Sequence, residues 1–251
     1  MKPDIKHFEK VYREFNRPEF IHPDPLEFVW RYRSGADREV VGFIAACLAY
    51  GNVNQILKSV EKVLAPMGPS PAAWLEKADK ALIKKTFSAF KHRFTTGAEL
   101  AVFLLNIKAA RAEHGSLEKL FLQGCEPGAA TVENAIYAFI NKFNSLGCAP
   151  SLTPCPELKS SFKRVNLFLR WMVRKDAVDP GVWRGVSPAG LLIPLDTHMR
   201  QVSMRMGITA RKDTSMRTAA EITAFFRKIS PADPVKYDFS LTRAGIRGNN
   251  V

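Results

Sequence analysis

KRVNLFLRWMVR (Lys163–Arg174) and IPLDTHMRQVSMRMG (Ile193–Gly207) are the stretches whose reading decides the fold. Across Glu157–Arg174, Leu158, Phe162, Val165, Phe168, Leu169, Met172 and Val173 recur at helical spacing and mark a core-facing stripe. Lys159, Lys163, Asn166, Arg170 and Arg174 fall three or four residues apart and share a second face. Taken alone, that face is what a solvated helix presents to water. Beside a cleft it becomes a lysine with an asparagine and an arginine next to it. In the second stretch, Asp196 stands where an N-cap belongs, ahead of the apolar positions Met199, Val202, Met206 and Ile208. Such an aspartate caps the helix, and the dipole also stabilises it as an anion. His198 reads first as a structural hydrogen-bonding group and only second as a ligand or a proton carrier.

Working outward, helix signals recur and strand signals are scarce, so an all-α chain is expected. Asp24-Pro25 with Glu27 reads as a helix start. The span from Asp37 to Tyr50 leaves almost no polar face and predicts a buried central helix stopped by Gly51. Helices are also predicted over Asn54–Val63, Ala98–His114, Thr131–Ser145, Thr214–Ile229 and Pro234–Gly245. GCAPSLTPCP (147–156) is the clearest loop and the candidate boundary between two lobes of one unit spanning 1–251.

With 46% hydrophobic residues, 251 residues suffice for a sizeable core. The formal net charge of +13, spread along the chain, favours a folded basic surface for polyanions, phosphate backbones foremost. MKPDIKHFEK lacks the apolar core of a secretory signal, and Val40–Tyr50 is too short to cross a bilayer. The expectation is a soluble cytoplasmic protein with no membrane segment. Cys47, Cys125, Cys148 and Cys155 form no CxxC pair, so neither a metal site nor a cofactor is predicted; Cys47 reads as a small core residue.

IPLDTHMRQVSMRMGI resembles the catalytic segment of the helix–hairpin–helix DNA glycosylase superfamily: a proline or valine, then D-[ST]-[HR], then a helix ending R-x-G-[LI]. Glu39–Leu64 is similar to the first helix pair of that fold, and Asp233–Ile246 to its closing helix. The usual hairpin, L-P-G-[IV]-G-x-[KR]-T-A, is absent, so the resemblance implies a two-lobed glycosylase-like fold with a divergent helix–hairpin–helix. In layout it is closest to the archaeal 8-oxoguanine glycosylases, whose lysine precedes the aspartate by a similarly long interval. The chain also resembles a bacterial family without an assigned activity, marked by LAYGN (Leu48–Asn52), KRxNxFLRWMVR, WxGxxP (Trp183–Pro188) and IPLDTH (Ile193–His198).

The resemblance implies base-excision repair of duplex DNA carrying a damaged base; no protein partner is implied. Lys163, or Lys159 as the fallback, would attack C1′ and form a Schiff base, with Asp196 stabilising the transition state. Asn166, Arg170, His198 and Arg200 would join Lys159 in binding. Trp171, Trp183 or Phe168 would stack on the flipped base, although each also suits a core. Turn amides at Asp179–Gly181 or Gly185–Gly190 would face phosphates. The alternative is a nucleic-acid-binding protein of the same fold without lyase chemistry. A metal-dependent phosphoesterase seeded by Asp196 and His198 lacks a further His/Asp cluster.

Overall fold

The computed structural model describes residues 4–154 and 161–246; Cys155, Lys159 and the start of the helix read from Glu157 lie outside them. The chain is all-α, with thirteen α-helices and one two-stranded hairpin among the described residues. It divides into two compact units. One comprises Met1–Ile21, Gly128–Val132 and Lys159–Val251, the other His22–Pro127 and Glu133–Leu158. No helix among the described residues is long and apolar enough to cross a membrane.

The second unit holds α2 (Leu26–Trp30), α3 (Gly35–Leu48), α4 (Val53–Leu64), α5 (Pro71–Lys77), α6 (Lys80–Thr86), α7 (Gly97–His114), α8 (Leu117–Leu122) and α9 (Glu133–Phe143). Its axis is α3. Val40 to Leu48 are fully buried, Cys47 included, as a helix without a polar face requires. Phe43 meets Phe103 of α7 and Phe143 of α9 at ring-centroid distances of 5.2 and 5.0 Å. Ser34 caps α3 from one turn before the expected start. Two charged residues that look like surface groups in the sequence act as internal caps. Glu39, buried in α3, accepts from the Leu117 and Glu118 amides at 3.0 Å and from Arg111 at 3.1 Å. Lys108 donates to the carbonyls of Leu75, Glu76 and Ala78 at the end of α5.

Helices α5, α6 and α8 were not expected, because six or seven residues are too few to display a period. The hairpin β1 (Lys91–His92) and β2 (Thr95–Thr96) was missed for the same reason; it leads into the capping box of α7, Thr96 with Glu99. At its base His92 is buried, and burial holds its imidazole below the ordinary 6.5 although the Tyr50 carbonyl contact opposes this. An unfolded imidazole titrates near about 6.5, so this contribution is full above that pH and is lost as the pH falls below it. The urea midpoint should therefore drop more between pH 7.5 and pH 5 in the native chain than in His92→Asn. Equal drops would contradict the assignment.

The first unit holds α1 (Ile5–Phe15), α10 (Lys163–Val173), α11 (Thr197–Arg205), α12 (Met216–Ile229) and α13 (Asp238–Ile246). Both α1 and α11 pack on α13. Phe8 of α1 lies 5.3 Å from Phe226 and 5.5 Å from Tyr237. The helix read over Glu157–Arg174 begins only at Lys163: Ser161 and Phe162 precede it in non-helical backbone. Phe162 adopts the left-handed region at φ 47° while its ring is buried. The apolar spacing reported which side chains are buried but not this break in the backbone.

Candidate functional site

Two helix starts in the first unit meet at one point. Leu191–Leu195 runs buried into α11, tied to α12 by the Ile193 amide donating to Thr223 Oγ1 at 3.0 Å. Asp196 then caps α11, its Oδ1 accepting from the Met199 amide at 2.8 Å. Its other oxygen, Oδ2, lies 3.4 Å from Nζ of Lys163, the first residue of α10. The lysine and aspartate side chains are 34% and 24% exposed, so the pair is sheltered yet reachable. The turn before Lys163 is fixed by Asn166, whose amide donates to Phe162 O and whose Nδ2 donates to Ser161 O at 3.0 Å. Asn166 Oδ1 is buried and has no hydrogen-bond partner among the described residues. A bulky residue held at positive φ costs about 1–3 kcal/mol and persists only where its surroundings over-determine it. Here it directly precedes Lys163, the first residue of α10.

Beneath this pair lies a buried charge network. Arg170 donates to Asp179 at 3.2 Å and to Asp238 at 2.5 Å. Arg174 donates to Asp179, to Asp233 at 2.9 and 3.0 Å and to Asp176 at 2.8 Å. Burial pushes the Asp179 carboxyl up to about 6 against the pull of its two arginines. Burial likewise raises Asp238, with the nearby charge of Asp196 adding to the effect. Although burial opposes its charge, Arg174 is held above the ordinary arginine value by Asp179, Asp233 and Asp176. The network anchors α10 to the turn after it and to the start of α13.

Several of the residues expected to bind lie in the core. Asn166 and Arg170 are buried at 1% and 3% exposure, Asn166 Nδ2 donating to Ser161 O and Arg170 donating to Asp179 and Asp238. Trp171 is fully buried, and Trp183 packs edge-to-face on buried Phe168 at 5.2 Å, so these rings are packed in the core. The amide of Gly181 donates to Trp171 O and is not offered to a phosphate. Gly181 lies at φ 54°, and a Cβ there would meet Arg174 O at 2.5 Å. His198 is exposed beside Asp196, and Arg200 is half-buried with Nη1 3.3 Å from Met204 Sδ. Lys159 lies outside the described residues. Exposed cations of this unit include Lys175, Arg205, Lys212 and Arg217, of which sequence reasoning singled out none. No group of three or more His, Cys, Asp or Glu side chains among the described residues is arranged to hold a metal ion.

An all-helical, strongly basic chain that brings a sheltered lysine to a helix-capping aspartate is the class these features define. The chain belongs to the family described as protein of unknown function (DUF2400), whose model matches residues 24–247. No curated protein and no solved structure matches it.

Proposed function

We propose that the chain is a DNA glycosylase with AP-lyase activity, built on a helix–hairpin–helix-type fold with a divergent hairpin. The observation that carries this reading is the 3.4 Å approach of Lys163 Nζ to Asp196 Oδ2, each at the start of its own helix. An amine nucleophile needs an acceptor for the ammonium proton, and Asp196 lies within reach of it. Once that proton has passed on to the departing base, the Asp196 carboxylate can offset positive charge developing on the sugar.

In the reaction, a damaged base is flipped from the duplex, at a cost of a few kcal/mol. The Lys163 amine forms a bond to C1′ as the bond from C1′ to the base breaks, and the base leaves with a proton. Opening of the sugar ring gives the Schiff base. Loss of a C2′ proton then breaks the C3′–O bond by β-elimination, and water releases the lysine. The net charge of +13 supplies the salt-sensitive hold on phosphates that this substrate needs. Exposed Lys175, Arg205, Lys212 and Arg217 are better placed for that role than buried Arg170.

The test is incubation with duplexes carrying 8-oxoguanine, uracil or an abasic site, read as strand scission without alkali, with and without a chelator. Chelator-insensitive cleavage of at least one duplex is expected. Intact binding with no cleavage of any of them would remove the lyase reading. Cleavage abolished by the chelator would point instead to metal-assisted hydrolysis.

A further inference from the structure

The run Leu48–Asn52, LAYGN, takes no part in the chemistry above, yet its Tyr50 and Gly51 are committed to the Lys91–Thr96 hairpin in the second unit. The Tyr50 hydroxyl donates to His92 O at 2.9 Å and lies 2.5 Å from Thr95 Oγ1, which is itself 2.7 Å from Ser151 Oγ. The Tyr50 carbonyl lies 3.1 Å from His92 Nε2, while His92 Nδ1 lies 2.8 Å from Ser59 Oγ on α4. Gly51, at φ 96°, lies against the Arg93 side chain; a Cβ there would come within 2.8 Å of Arg93 Cδ and Nη1. Asn52 caps α4.

This bonding, part-buried at Tyr50 and buried between His92 and Ser59, holds a two-residue tip, Arg93–Phe94. Arg93 is in the left-handed region at φ 50°, and Phe94 is 75% exposed, the most exposed large hydrophobic among the described residues. The stretch of chain that carries it is cationic. The Arg93 guanidinium carbon lies 5.4 Å from the Phe94 ring centroid, and Lys80, Lys84, Lys85 and Lys91 are all exposed. From Lys80 to Ala98 the chain has no Asp or Glu. A protein-docking aromatic belongs to a patch whose centre is depleted in charge, which this is not. A rigid aromatic among cations is what stacking on a nucleobase between phosphates requires.

We propose that the Arg93–Phe94 tip is a DNA contact, in which the Phe94 ring stacks on an unpaired base while Lys91 and Arg93 pair with the flanking phosphates. The choice of DNA rests on the function proposed above; the stacking role does not depend on lysine chemistry. The test is fluorescence anisotropy with labelled duplexes that are fully paired or carry one unpaired thymine, alongside single-stranded RNA and phosphatidylserine vesicles as competitors. Phe94→Ala should weaken binding to the unpaired-base duplex about tenfold and leave the paired duplex nearly unchanged. Phe94→Trp should bind as the native chain does, with its added indole emission quenched by the unpaired-base duplex. Arg93→Ala should flatten the salt dependence by about one phosphate.

Unchanged affinity in Phe94→Ala, an unquenched indole, or no DNA binding at all would overturn the proposal. So would vesicles or RNA displacing the DNA through the same residue. A tenfold loss in Phe94→Ala without catalysis on any substrate would leave this contact standing and remove the lyase reading. Catalysis with no effect at Phe94 would do the reverse.

Discussion

Asp179→Ala should cost the first unit about 3–5 kcal/mol, the expected penalty for breaking a buried ion pair by removing one partner. Asp179 is fully buried and accepts from both Arg170 and Arg174, themselves 3% exposed. Without it, two guanidiniums confront low-dielectric surroundings with one fewer carboxylate. Arg170 retains only Asp238 from the network, and Arg174 retains Asp176 and Asp233. Against a total stability of about 5–15 kcal/mol, such a loss leaves the fold marginal at growth temperature. Urea denaturation followed by far-UV circular dichroism would measure it. A loss under about 1 kcal/mol would mean that the remaining carboxylates satisfy both arginines.

Asp196 separates stability from chemistry, because its two oxygens have different partners. Asparagine caps a helix about as well as aspartate, so Asp196→Asn should keep the bond to the Met199 amide and the melting temperature. It loses the negative charge facing Lys163. Turnover should then fall by a factor on the order of 10²–10⁴, the usual span for removing a positioned proton carrier or electrostatic stabiliser. Asp196→Ala should show the same fall in turnover and also lose about 1 kcal/mol with the cap. Full activity in Asp196→Asn would reduce Asp196 to a structural cap.

How much of this was legible in the sequence depended on whether a feature was local. The burial of α3 was legible because Val40 to Leu48 offer no polar face. The capping role of Asp196 was legible because the residues after it carry an apolar helical period. The pairing of Lys163 with Asp196 was read from spacing and from the family resemblance together, and spacing along a chain does not by itself set a distance in space. Arg170 and Arg174 read as one solvated face with Lys163. The carboxylates that bury them are scattered between Asp176 and Asp238, the last 68 residues beyond Arg170, and no local pattern announces the pairing. The start of α10 was misplaced because apolar periodicity runs through Phe162 while the backbone turns left-handed there. The Arg93–Phe94 tip escaped notice because strands of two residues display no alternation.

The central claim, a lysine nucleophile at the Asp196 helix cap, is tested most directly by borohydride trapping on a duplex with an abasic site, followed by peptide mapping of the adduct. The predicted result is a covalent adduct on Lys163 that is absent from Lys163→Gln although that variant still binds the duplex. An adduct that persists in Lys163→Gln, one that maps to Lys159, or none on a duplex the native chain binds would contradict it.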